Sequence, residues 1–117
     1  MSDAGFRRGD VVICALAGDF GKPRPALVVQ SDLFNETHAS VVVCPISSEI
    51  TGLALFRIPV AASQTTGLRK DSEVMVDKLS AANRSRLRQR LGRLSRPQMA
   101  LVDAALRLWV EPPASAD

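Results

Sequence analysis

The sequence predicts a mostly β fold, a small antiparallel barrel with one C-terminal amphipathic helix. Three observations predict it. A chain of 117 residues has room for one domain of ordinary size. Short apolar, β-branched runs recur between turns marked by Gly and Pro. After Ser95 the apolar spacing switches to a helical period. Strands in succession followed by a single helix call for antiparallel pairing rather than alternating βαβ units.

The elements follow in order. Residues 10–16 read as a first strand, and a Gly-rich loop leads from Ala17 to Pro23-Arg24-Pro25. The second strand, Ala26–Val29, is continuously apolar and therefore expected to be buried on both faces. Pro25 has no N–H for a central ladder and should open that strand. A polar connector spans 31–39, and a third strand, Val41–Cys44, is expected to stop at Pro45. A fourth is expected over Leu53–Ile58, ending at Pro59, and a fifth over Glu73–Val76. Between them Gly67 marks a turn. A helical turn is expected at 83–86 and a short strand at 90–94. Ser95-Arg96-Pro97-Gln98 has the form of a capping box with proline in the first turn. Met99, Val102, Leu106 and Trp109 then repeat at helical spacing, flanked by Leu101, Ala105 and Leu108, a face expected to pack on the sheet. Residues 1–117 are thus expected to form one domain, with loose ends at 1–6 and 112–117.

Composition narrows the function. Hydrophobic residues make up 46% of the chain and charged residues 23%, enough for a core and unlike a disordered protein. The net charge is +3, and six arginines fall between Arg84 and Arg96, either a solvated face or a nucleic-acid contact. Cys14 and Cys44 lie in apolar runs without a CxxC and are expected to be reduced core residues. No run approaches the ~18 apolar residues of a membrane span, and no signal-peptide pattern follows Arg7-Arg8, so a cytoplasmic location is expected. There is no GxGxxG and no P-loop, and hence no expected nucleotide cofactor. His38 is the only histidine and tyrosine is absent, so one chain cannot run a two-histidine ribonuclease mechanism. A histidine-based metal site is not expected either, and His38 itself reads as an exposed loop residue.

Two segments could carry chemistry. In Gly21-Lys22-Pro23-Arg24-Pro25 the prolines stiffen the backbone around Arg24, whose forked donors and permanent charge suit a phosphate. The other reading of Arg24 is an ion pair with Asp10 or Asp77. In Pro45-Ile46-Ser47-Ser48 the hydroxyls stand at a strand end, where they can donate to a phosphate or an oxyanion, or simply serve a turn.

Taken together the chain resembles the MazF/PemK toxin endoribonucleases, also called mRNA interferases. The resemblance runs over about residues 7–110, through Arg8-Gly9-Asp10-Val11-Val12, Gly21–Val29, Ser31–Asn35, Val42–Ser47, Gly67–Ser72 and Asp77-Lys78-Leu79, to Arg90–Leu94 and the helix. It implies an SH3-like barrel, a homodimer, and metal-independent cleavage of single-stranded RNA that leaves a 2′,3′-cyclic phosphate and a 5′-hydroxyl. It also implies a cognate antitoxin that holds the nuclease inactive. Catalysis would fall to Arg24 and to Ser47, where the family usually has Thr, with Asp77 and Ser48 as additional candidates. Gly21, Lys22 and Arg24 would contact RNA. The loop between the first two strands is shorter than is common in the family, and Met75 stands where some members have an Arg two residues before the acid. A CcdB-like gyrase poison, sharing the barrel but cutting nothing, is the alternative function.

Overall fold

The computed structural model describes residues 5–16 and 22–113. Gly21 and most of the loop before it lie outside that range, as do the outermost residues of both termini. Seven strands form: β1 (Asp10–Ala15), β2 (Pro23–Val28), β3 (Ser40–Ser47), β4 (Arg57–Val60), β5 (Ser72–Met75), β6 (Ser80–Asn83) and β7 (Leu87–Arg93). A one-turn helix, α1 (Asp32–Asn35), interrupts the connector after β2, and α2 (Arg96–Val110) closes the chain. Two 3-10 turns cover Val76–Lys78 and Arg84–Arg86. The pairings are antiparallel in the order β4-β5-β3-β2-β1-β7, with β6 added on β3. The mostly β architecture with a C-terminal helix is the one the strand pattern predicts.

β3 is the pivot. One edge pairs with β2 through Val43, Cys44 and Pro45. The opposite edge pairs first with β6, over Ser40–Val43, and then with β5, at Ile46 and Ser47. Pro45 therefore does not stop the strand, contrary to expectation. It sits where that opposite edge has left β6 and not yet met β5, so a missing N–H breaks no ladder there. Pro25 is tolerated for a similar reason. β2 starts at Pro23 rather than Ala26, and over Pro23–Pro25 it pairs with β1 alone.

The fourth strand begins later than expected, at Arg57, and runs through Pro59, because β4 is the outermost strand of the sheet. Residues 54–56 are a turn, and Leu53 and Leu55 are exposed. β6 was not legible in Ser80-Ala81-Ala82-Asn83, which has little strand propensity. Pairing with β3 creates it, and of its side chains only Ala82 is buried.

The bent sheet buries two cores. One gathers Val11, Leu27, Cys44, Ile46, Val74 and Val76 under α2, which contributes Met99, Val102 and Ala105. The other gathers Val12, Cys14, Val28, Val41 and Val43. Both cysteines are free and buried, and burial, reinforced by the Asp77 charge, pushes the Cys44 thiol up to about 12. The capping box at Ser95 forms as read, with Gln98 N–H on Ser95 Oγ and Ser95 N–H on Gln98 Oε1. The expected apolar face of α2 is narrower than its sequence. Leu101 and Leu108 are exposed, and Trp109 is half-exposed with its ring against Phe56 at 5.5 Å. No helix among the described residues is long and apolar enough to cross a membrane.

The turn at 64–66 lies flush against β7. Arg93 N–H donates to Thr65 O at 2.9 Å, and Gly67 has φ +74. A methyl on Gly67 would stand 2.2 Å from Leu91 O, and one on Gly92 would stand 2.2 Å from Thr65 O. Gly67→Ala is therefore expected to cost about 2–3 kcal/mol from backbone strain and this clash together. Urea denaturation of the purified protein checks it, a lower midpoint at unchanged slope being the expected result.

Candidate active site

The register of β2 and β3 explains where the site lies. Ala26 faces Pro45, Leu27 faces Cys44 and Val28 faces Val43. Two more steps of that ladder would set Arg24 opposite Ser47, but β3 has by then turned away to pair with β5. The strands part, and a groove of about 890 Å³ opens between them. Arg24 and Pro25 line one wall, and Ser47, Ser48 and Glu49 line the other. Arg69 and Lys70 enter from the segment after Gly67, and Lys78 from the 3-10 turn after β5. Gln89 and Ser80 add polar groups, while Ile46, Leu68 and Leu91 supply apolar surface.

The structure brings Arg24, Ser47 and Ser48 together on this groove. Arg24 is exposed on β2, in register with Cys14 of β1. Ser47 is the last residue of β3 and half-buried, and its Oγ accepts the Glu49 N–H at 3.0 Å. A hydroxyl oxygen occupied in this way still has its proton to give, so Ser47 can donate into the groove. Strand alternation would put Ser48 on the opposite side of the chain from Ser47 if the extended geometry persisted that far. The strand ends at Ser47, the Ser47–Glu49 turn breaks the alternation, and both serines line the groove.

Asp77 stands apart. Its carboxylate accepts Arg57 Nε at 2.7 Å and Nη2 at 3.0 Å, and it does not line the groove. Arg57 faces Met75 across β4 and β5, so the guanidinium on Asp77 comes from the neighbouring strand. That forked contact, with both side chains about 15% exposed (13% and 16%), holds the Asp77 carboxyl below its usual value against the opposing effect of burial. Asp10 is likewise occupied: fully buried, it accepts Arg93 Nη1 and the Arg7 N–H, each at 2.8 Å. Lys22 is exposed but not on the groove, and His38 is an exposed loop residue as expected.

The arginines of 84–96 do not line the groove either. Arg84 donates to the carbonyls of Asn35 and His38, Arg93 holds Asp10, and Arg90 reaches Asp10 at 3.6 Å. Several of them thus pin loops and strand ends. Among the described residues, the groove's charge comes instead from Arg24, Arg69, Lys70 and Lys78, against Glu49 alone. Sequence reasoning did not single out Arg69, Lys70 and Lys78 as site residues, because their convergence with Arg24 depends on three separate parts of the chain: β2, the segment after Gly67 and the 3-10 turn after β5.

With that arrangement in place, the comparison with known proteins is decisive. Residues 7–110 match the family described as PemK-like, MazF-like toxin of type II toxin–antitoxin system. The chain belongs to that family. A relative called probable endoribonuclease MazF, from Mycolicibacterium smegmatis, is 41% identical over 106 residues, covering 90% of this chain and 96% of its own. Among solved structures, the Mycobacterium tuberculosis toxin MazF-mt6 superposes with a TM-score of 0.75 at 26% identity, over 86% of this chain and 94% of its own. An endoribonuclease in complex with its cognate antitoxin, from a mycobacterial species, shares the fold, with a TM-score of 0.76 at 22% identity over 92% and 97% of the two chains. The MazF-like toxins are endoribonucleases, which favours the nuclease over the CcdB-like gyrase poison.

The Arg57–Asp77 pair gives a test of its own. A carboxyl whose folded value is depressed stabilises the protein above its unfolded value, near pH 4, and loses that contribution as pH falls through the folded value. Asp77→Asn should cost about 1–3 kcal/mol at pH 7. The gap to the unmodified protein should close below about pH 4. Urea midpoints measured at pH 7 and pH 3 check both statements.

Proposed function

We propose that the groove cleaves single-stranded RNA without a metal ion, the nuclease acting as the toxin of a toxin–antitoxin pair in the cytoplasm. The observation that carries this reading is the convergence of Arg24 and the Ser47 hydroxyl on a groove rimmed by Arg69, Lys70 and Lys78. The ribose 2′-oxygen attacks the adjacent phosphorus, the bond from phosphorus to the 5′-oxygen breaks, and a 2′,3′-cyclic phosphate and a 5′-hydroxyl result. Negative charge builds on the phosphoryl oxygens in the transition state, where Arg24 and Ser47 O–H meet it. Arginine keeps its proton at any physiological pH, so Arg24 is a donor of charge and hydrogen bonds rather than a general base. The 2′-proton leaves to water, and the departing 5′-oxygen takes one from water, or from the guanidinium, which water then reprotonates. The Glu49 N–H on Ser47 Oγ restrains the hydroxyl in the role that the methyl group of a Thr would otherwise play. The remaining cations hold flanking phosphates.

Arg24→Ala should lower cleavage by a factor of about 10²–10³ with the fold intact. Ser47→Ala should be severely impaired and Ser47→Thr active. Ser48→Ala should be milder, since Ser47 is the hydroxyl oriented by a backbone N–H. Incubation of the purified protein with a long single-stranded RNA in EDTA, followed by end-group analysis, checks the series. Near-normal cleavage by folded Arg24→Ala would overturn the mechanism.

For regulation, we infer a two-fold homodimer and an antitoxin that lays an acidic, flexible segment on the basic groove; that a cognate antitoxin exists is supported by the family's description as toxins of type II toxin–antitoxin systems. RNA and antitoxin should then compete, and both affinities should fall with added salt. Titration of antitoxin into an RNA-bound sample, read by fluorescence anisotropy, decides this. Simultaneous binding of the two would refute the shared site.

A further inference from the structure

Glu73 is a buried carboxylate that the mechanism above does not use. It is 1% exposed, lies on β5 and stands in register opposite Ser47 of β3. Its oxygens are turned to the loop that follows Ser47. Oε1 accepts the Thr51 hydroxyl at 2.9 Å, and Oε2 accepts the N–H groups of Thr51 and Gly52 at 3.1 and 3.0 Å. Gly52 has φ +76, a conformation that suits glycine and presents its N–H to the carboxylate. Thr51 Oγ1 in turn accepts the Leu53 N–H at 3.2 Å. At the other end of the same loop, Ser47 Oγ accepts the Glu49 N–H.

The segment from Ser47 to Gly52 is thus tied at both ends, one tie being the hydroxyl proposed for catalysis. Residues 48–52 are exposed and, apart from these ties, belong to no strand or helix. Charge-assisted bonds to a buried carboxylate are the strong kind, and three of them converge here. Burial alone would raise the Glu73 carboxyl, but the Gly52 and Thr51 donors and the nearby Arg57 charge outweigh it and hold it below its usual value. Glu73 does not line the groove and would not touch RNA.

We propose that Glu73 is a positioning residue for RNA cleavage, holding the 48–52 loop through Thr51 and Gly52 so that the Ser47 hydroxyl is aimed at the scissile phosphate. This rests on the reading of Ser47 given above. Replacing Glu73 by Gln keeps the shape but removes the charge that strengthens all three bonds, and turns one acceptor into a donor that faces either the two N–H groups or the Thr51 hydroxyl. Thr51→Val removes the hydroxyl, and with it the bonds to Glu73 Oε1 and from the Leu53 N–H, while leaving the buried carboxylate in place.

The test is single-turnover cleavage of a long single-stranded RNA with the protein in excess, which separates the maximal rate from the half-saturating concentration. Glu73→Gln should lower the maximal rate by about 10- to 100-fold, with the half-saturating concentration unchanged to about twofold. Thr51→Val should fall in the same direction by less. In a Ser47→Ala background neither substitution should cost more than about twofold, because the group they position is gone. Multiplicative losses in that background, a change confined to the half-saturating concentration, or full-rate cleavage by the variants would each overturn the proposal. Should Glu73→Gln not fold, the Thr51→Val cycle decides alone. If Ser47→Ala itself cleaves at the normal rate, the reading of the site fails, a result distinct from failure of the Glu73 proposal.

Discussion

Everything at the groove depends on β3 changing partners. A strand that kept β2 beside it to the end would leave no gap between Arg24 and Ser47, and the ladder would close over the groove. β3 instead gives one edge to β6 and then to β5, and leaves β2 after Pro45. Two prolines mark the divergence. Pro25 and Pro45 cannot donate to a ladder, and both stand where one edge of their strand has no recorded ladder partner. The sheet therefore parts at a point where parting costs few hydrogen bonds.

Charge is distributed to match. Among the described residues, the carboxylates of Asp10, Asp77 and Glu73 are largely buried, and each is satisfied: Asp10 by Arg93 and the Arg7 N–H, Asp77 by Arg57, and Glu73 by Thr51 and Gly52. Each spans distant segments, so each ion pair or hydrogen-bond set also serves as a fastener between elements. With those acids turned inward, Glu49 is the one carboxylate among the described residues that line the groove, against Arg24, Arg69, Lys70 and Lys78. A modest net charge of +3 thus becomes a locally basic surface. The run of arginines from 84 to 96 shows the converse. Its density in sequence suggests a binding face, yet Arg84 and Arg93 spend their donors on the protein's own carbonyls and on Asp10.

The local signals in the sequence held where they describe local physics. The Ser95–Gln98 capping box, the helical turn after Asn83 and the turn at Gly67 each depend on neighbours within a few residues, and each was legible. Signals that needed a partner were not. Pro45 and Pro59 read as stops, and only the position of each strand in the sheet makes them harmless. Ser80–Asn83 carries too little propensity to announce β6. The apolar spacing of α2 extends to Leu101 and Leu108, but the sheet covers only the stripe of Met99, Val102 and Ala105.

The sequence by itself determined the class of fold, the family, and the presence of a stiffened arginine and a strand-end hydroxyl, because period, turn chemistry and motif order are written along the chain. Tertiary structure alone decided which groups share the groove. Arg24, the Arg69-Lys70 pair and Lys78 come from separate segments, Ser48 lines the groove beside Ser47 because the strand ends one residue earlier, and Asp77 is claimed by Arg57 from an adjacent strand. The physical reason is the same in each case: a side chain's direction is set by the ladder its backbone joins, and ladders are contacts between residues far apart in sequence.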